Sequence, residues 1–162
     1  MKLFFTILRS VIYVPLFILL FRWLALNVRV YDAQLGVALP QWVSIIGIIM
    51  MIVGAILVLI CVVVFIIFGK GTPAVFDPPR EFVAAGPYAF VRNPMYIGGF
   101  ILFVGFGLYH VSFSILILAL LLIIVFHFFV LIVEEPNLER LFGKSYLDYK
   151  NKINRWLPKL KH

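Results

Sequence analysis

The sequence predicts an all-α integral membrane protein with about four transmembrane helices, and three observations carry that prediction. Of 162 residues, 64% are apolar and only 13% charged, whereas a soluble domain is about half apolar and about a quarter charged. The mean hydropathy is +1.12. The apolar residues also fall in runs long enough to cross a bilayer, which takes roughly 20 residues at about 1.5 Å each. The polar residues are too few to cover a soluble globule. The same composition excludes a disordered chain, a collagen-like fibre and, with Cys61 as the single cysteine, a disulfide-stapled secreted domain.

The first span is expected at about 4–26, with Arg9 near its start and Arg22 near its end, both close enough to the headgroups to snorkel. Lys2 and Arg9 ahead of an apolar core also fit a secretory signal. No small-x-small cleavage site follows Leu20, so a retained anchor is expected. The second span, 42–68, opens on an interfacial aromatic, Trp42, carries no charge over 27 residues and is closed by Gly69-Lys70-Gly71. Ile97 to Val133 is an apolar region of 37 residues, too long for one crossing and suited to two short ones. Gly105, Gly107, His110, Ser112 and Ser114 mark its middle, which places a tight hairpin near Tyr109 to Ser112 and spans at 95–109 and 113–133. The whole chain, 1–162, reads as a single membrane domain, with two N-terminal spans in 1–68 and the loop, helical hairpin and tail in 69–162.

The charges set the orientation. Lys plus Arg is 14 and Asp plus Glu is 7, for a net charge of +7. With both termini on one side, that side holds Lys2, Arg9, Lys70, Arg80, Arg92 and the seven basic residues from Arg140 onward, against Arg22 and Arg29 on the other. Such a bias puts both termini in the cytoplasm. Basic residues that face anionic lipid account for the excess, so no nucleic-acid partner is expected.

The polar segments carry the chemistry. Residues 27–41 form a short outer loop with nothing to suggest a site. Residues 69–96 are rich in Gly and Pro and carry Asp77, Arg80, Glu81, Tyr88, Arg92, Asn93 and Tyr96, and a long ordered loop of this kind tends to be functional. Pro94 opens the third span, because its missing N–H costs nothing in a first helical turn, and Asn93 before it is a favourable N-cap. The free N–H groups of that helix start favour an anion. Glu134 and Glu135 lie at the end of the fourth span, where the dipole and the membrane edge both disfavour negative charge. They need a positive partner, either Arg92, Arg80 or Arg140, or a cationic ligand.

In the tail, Leu138, Leu141, Phe142, Tyr146, Tyr149 and Ile153 share one helical face opposite lysines, which predicts one or two amphipathic helices on the cytoplasmic headgroups. Phosphate loops, HExxH and CxxC motifs, and a Ser/His/Asp set are all absent from the sequence, and no metal is expected. Gly98, Gly99, Gly105 and Gly107 read as close helix packing. His127 reads either as a helix-to-helix hydrogen-bonding group or as a pocket residue, His110 as a hairpin-tip residue and Cys61 as apolar filler.

Two blocks then resemble a known family. G-P-Y-x-x-x-R-N-P-M-Y-x-G at 86–98 and E-E-x-x-L-x-x-x-F-G-x-x-Y-x-x-Y at 134–149 lie one apolar hairpin apart. This resembles the isoprenylcysteine carboxyl methyltransferase and phospholipid methyltransferase superfamily over about residues 70–158. The resemblance implies an integral membrane enzyme that binds S-adenosylmethionine at its cytoplasmic side, in a pocket closed by the C-terminal segment, and makes 69–162 the cofactor-binding half. By position, the implied cofactor contacts are Arg80, Glu81, Phe82, Val83, Tyr88, Asn93, Pro94, Met95, Tyr96 and Glu134. Arg92 and Glu135 are implied as the catalytic pair. The commoner motif has histidine where this chain has Asn93, which can hydrogen-bond but cannot titrate near neutral pH.

The implied cofactor suits the residues. Glu134 or Glu135 can take its ammonium, the helix start with Arg92 its carboxylate, and Tyr88 and Tyr96 can present ring faces to a sulfonium or adenine. No side chain is an obvious base, which favours an acceptor that is already nucleophilic: a lipid or lipid-modified group entering between spans. Two other readings accompany this one. Sterol reductases, which use NADPH, share an R-x-P-x-Y pattern entering a late span, although this chain is short and shows no further basic cluster for a 2′-phosphate. A non-enzymatic membrane scaffold would use the same fold.

Overall fold

A computed structural model describes residues 2–69 and 82–159, and these are helical, with no strand among them. Helix α1 runs Lys2–Val28, with Pro15 inside it. A 3-10 turn at Arg29–Tyr31 leads into α2, Asp32–Leu35. Helix α3, Val43–Val64, continues through a π-helical turn to Gly69. Beyond a 3-10 turn at Gly86–Ala89, α4 spans Pro94–Tyr109 and α5 spans Phe113–Phe129. A π-helical turn, Val130–Glu134, then feeds α6, Glu135–Phe142, and α7, Lys144–Lys152.

Two helical runs have the length and hydropathy of a bilayer span: Val43–Gly69, with 27 residues, and Phe113–Phe142, with 30. Helix α4 is apolar but shorter, at 16 residues. The burial pattern is the reverse of a soluble core. Ile45, Ile49, Ile52 and Ile56 on α3, and Leu120, Leu121, Val125 and Phe128 on α5, are exposed, as bilayer-facing side chains must be.

The second run corrects one expectation. The sequence puts the fourth span's end at 133, with Glu134 and Glu135 at a helix C-terminus. The helix instead passes through a π turn and continues to Phe142. Pro136 does not stop it, because the proline occupies the first turn of α6 and the π turn accommodates the break in hydrogen-bond register.

Small residues seven apart put α3 against α4. Gly47 and Gly54 face Gly105 and Gly98 in antiparallel order, and a Cβ on Gly54 would lie 2.6 Å from both Gly98 O and Leu102 N. Backbones come this close only where side chains are missing, as in helix pairs within membranes. At Gly107 the missing side chain makes room instead for side chains of α5: a Cβ there would lie 2.9 Å from Leu116 Cδ2 and 3.2 Å from Ile115 Cγ2. Gly99 does not: a Cβ there would meet nothing within 4 Å. Helix α1 completes the bundle through Phe21, which packs on a cluster of Ala25, Phe103, Ile115 and Ala119.

The hairpin turns where expected, at His110–Ser112. Val111 adopts a positive φ of 51°, and Ser112 Oγ caps α5 by accepting from Ile115 N–H at 3.3 Å. The outer loop also contributes: Asp32 Oδ1 accepts from Ser114 N–H at 2.8 Å, so the same helix start receives a second cap from another segment. Burial pushes the Asp32 carboxyl up, but hydrogen bonds from Ser112 and Ser114 and the charge of Arg29 outweigh it and leave the carboxyl below its usual value.

Candidate functional site

At the opposite end of the bundle the start of α4 meets the start of α6. Arg92 sits just before α4, and Glu135 opens α6. Glu135 is 3% exposed and is surrounded by cations. Arg155 grips it with a fork, Nε to Oε1 at 2.7 Å and Nη2 to Oε2 at 2.9 Å. Arg92 Nη2 lies 3.0 Å from Oε1 and Lys150 Nζ 3.6 Å from Oε2. Lys150 also bridges to Glu139. Those hydrogen bonds to Glu135 raise the Arg155 pKa above its ordinary value. A carboxylate this deep is stable only when its oxygens are matched in this way.

The C-terminal segment that supplies Arg155 crosses the mouth of α4 as a strap. Arg92 N–H donates to Asn154 O at 2.9 Å and Asn93 N–H to Arg155 O at 3.3 Å. The Asn93 side chain adds Nδ2 to Arg155 O at 3.4 Å. Asn93 therefore occupies the N-cap position of α4 without a side-chain cap bond, contrary to the sequence expectation, because its amide is turned to the strap. The next strap residue, Trp156, donates Nε1–H to His127 Nδ1 of α5 at 3.0 Å.

At this site two buried nitrogens, both on Arg92, remain unmatched among the described residues. Arg92 is only 8% exposed in its side chain, yet its Nε and Nη1 have no hydrogen-bond partner. Buried guanidinium nitrogens are rarely left so, since each unsatisfied group costs about 1–3 kcal/mol or more. They lie beside the first turn of α4, whose early N–H groups also lack helical acceptors. Glu134, by contrast, has one hydrogen-bond partner, the Tyr96 hydroxyl, which donates to Oε2 at 2.7 Å. A positive pole and a negative one thus stand at adjacent helix ends. Of the two carboxylates, Glu134 is the one open to a cation, because Glu135 is already saturated.

The remaining expected site residues are placed as follows. Tyr88 and Val83 are buried against Cys61 and Val64 of α3, with Met95 packed on the same cluster. The Tyr88 ring meets Phe65 edge-on at 5.1 Å, so it is enclosed rather than presented to a ligand, and its carbonyl accepts from the Tyr149 hydroxyl at 2.6 Å. Phe82 stands edge-on to Tyr149 at 5.1 Å and near Phe142 at 5.5 Å. Pro94 is fully buried. Arg80 and Glu81 lie outside the described residues. Burial holds the Tyr88 and Tyr149 hydroxyls above their ordinary values, so neither is a base near neutral pH.

Sequence reasoning missed Arg155, Lys150 and Trp156. The available signal was N-R-W-L-P at 154–158, which follows Ile153 and abandons the helical periodicity that had assigned the tail to a membrane surface.

The phospholipid methyltransferase family model matches residues 42–145. That stretch takes in α3, the loop, the α4–α5 hairpin and both glutamates, about two thirds of the chain. The chain belongs to the phospholipid methyltransferase family. No curated protein matches it closely. Membership makes it a membrane methyltransferase of this type, in agreement with the resemblance read from the two motif blocks. In this methyltransferase the matched segment supplies Arg92, Tyr96, Glu134 and Glu135, while the strap with Arg155 and Trp156 lies beyond it.

Proposed function

We propose that the protein is a membrane-embedded, S-adenosylmethionine-dependent methyltransferase acting on a lipid or lipid-modified acceptor, similar to isoprenylcysteine carboxyl methyltransferases. One observation carries the reading: buried nitrogens of Arg92 without a partner among the described residues, and Glu134 with Tyr96 as its one described partner, stand on either side of Glu135, which Arg92 bridges and Glu134 precedes. An amino-acid ammonium and carboxylate need that pair of opposite charges, and the residues fit the group. When bound, the cofactor supplies an activated methyl on a sulfonium. Arg92 and the α4 start bind its carboxylate, and Glu134, oriented by Tyr96, binds its ammonium. Glu135 holds Arg92 and Arg155 in position and so keeps the strap closed. A closed strap excludes water and fixes the donor, which is most of what an in-line methyl transfer requires of a protein. The basic residues gathered on the site side of the chain support four spans with both termini and the site cytoplasmic.

Calorimetric titration of the detergent-solubilised protein with S-adenosylhomocysteine tests the site. Glu134→Gln removes the charge but keeps the shape, and should weaken binding by about 2 kcal/mol, the scale of a charge-assisted hydrogen bond. Glu139→Gln, which alters a partly exposed carboxylate paired to Lys150, should change little. Equal effects of the two substitutions would refute this assignment.

A further inference from the structure

The tail presents a face other than the one its periodicity marks. Tyr146 and Tyr149 are buried, and with Phe142 they close round the Phe82 ring, with centroids 5.1 to 6.0 Å apart. Most of the predicted apolar face is therefore spent inside the protein. The other face of α7 carries Lys144, Leu147, Asp148 and Lys152, which the helical period puts on one side, and all four are exposed. Arg140 and Leu141 of α6 and Leu157 of the strap are exposed as well. Arg140, Lys144 and Lys152 form no ion pair among the described residues, whereas Lys150, turned inward, is spent on Glu135 and Glu139. The Phe113–Phe142 run has 30 residues, about 45 Å at about 1.5 Å each, against a hydrocarbon core of about 30 Å. Its end, α6, therefore reaches the headgroup layer. Leu157 follows Trp156, which is bonded to His127 of α5, and so stands at the bilayer edge. Lys159 Nζ donates to Asn151 O at 2.7 Å, which ties the end of the strap back to α7.

We infer that this outward face rests on an anionic lipid surface, and that the contact favours the closed strap and so tightens cofactor binding. The inference rests on the functional reading above and adds how the membrane regulates that site. Charge complementarity names the occupant. Arg140, Lys144, Lys152 and Lys159 are exposed against the single exposed carboxylate of Asp148, and basic side chains are drawn to anionic headgroups. Leucines set among them fit a surface that is charged outside and apolar just beneath. An open strap takes Leu157 and Lys159 away from the plane that α7 presents. The lipid surface thus holds the closed form better, and such a difference in affinity is what shifts a two-state balance.

The test puts the full chain into nanodiscs of phosphatidylcholine alone, or of phosphatidylcholine and phosphatidylserine in equal parts. It reads S-adenosylhomocysteine affinity by calorimetry and exchange protection of the Arg92 and Asn93 amides, which donate to Asn154 O and Arg155 O of the strap. Phosphatidylserine should raise that protection and tighten binding about tenfold, the contribution of about one or two basic groups at an anionic surface. Added salt should reverse both effects. Lys144→Gln combined with Lys152→Gln should erase the response and leave affinity in phosphatidylcholine discs unchanged. Equal protection and affinity in the two kinds of disc, the outcome if the face instead meets an acidic protein, overturns the proposal. So does a response that survives the paired substitution, or a rise in protection while S-adenosylhomocysteine binds no more tightly. Amide protection that responds to phosphatidylserine in a protein that binds no S-adenosylhomocysteine at all sinks the methyltransferase site and upholds the lipid contact.

Discussion

Replacing Glu135 with glutamine removes the one negative charge that three basic side chains share. Arg92 is the deepest of them, with 8% of its side chain exposed, against 22% for Arg155 and 36% for Lys150. Breaking a buried ion pair from one side costs about 3–5 kcal/mol. Two of the three partners are partly solvated and their share is screened, so the expected loss is about 3 kcal/mol, at the lower end of that range. Glutamine adds a local conflict, because its amide N–H₂ faces either the Arg155 fork or Arg92, donor against donor. The loss should fall on the strap, since Arg155 and Trp156 anchor it while α3 to α5 pack independently. Hydrogen exchange should therefore show the Arg92 and Asn93 amides, which donate to Asn154 O and Arg155 O of the strap, losing protection, with the α3–α4 seam unchanged. If the loss is confined to strap docking, S-adenosylhomocysteine affinity should fall about a hundredfold, at roughly 1.4 kcal/mol per decade. Unchanged protection of the Arg92 and Asn93 amides in folded Glu135→Gln would refute the claim that this carboxylate holds the strap.

Other substitutions test the frame around the site. Gly54→Val should unfold the α3–α4 seam or cost about 1–3 kcal/mol or more by overpacking, because the added Cβ meets backbone at 2.6 Å; Gly99→Ala, with open space around it, should melt like the parent. Asp32, whose folded pKa is lowered, stabilises the hairpin fully above its unfolded value of about 3.9 and loses that contribution as pH falls through the lower folded value. Protection at Ser114 and Ile115 should therefore drop on acidification below about pH 4 in the parent. Asp32→Asn should be less protected at neutral pH and lack that acid-dependent loss.

Much of this was legible because composition constrains a membrane helix so tightly. The bounds of the Val43–Gly69 run and the hairpin at His110–Ser112 follow from run length and small residues, and the structure agrees within a residue or two. The need of Glu134 and Glu135 for a positive partner was also readable, and Arg92, one of the basic residues considered, provides it for Glu135. The sequence could not show how the two carboxylates divide, since that depends on Arg155 arriving from 20 residues downstream. Nor could it show the continuation through the π turn, because Glu-Glu-Pro after an apolar run carries every local sign of a helix end. His127 was open between a hydrogen-bonding and a pocket role. Its hydrogen bond runs not to another helix, as expected, but to the Trp156 indole of the non-helical strap, and its side chain lines an apolar cleft between α4 and α5.

Methyl transfer to a lipid-soluble acceptor is read by incubating purified protein with S-adenosylmethionine radiolabelled in its methyl group, total membrane lipid and a panel of prenylated thiols. Label should reach the organic extract and be lost in Glu134→Gln and in boiled protein. A folded preparation that transfers no label to any lipid fraction, or that transfers equally well as Glu134→Gln, would overturn the proposed activity.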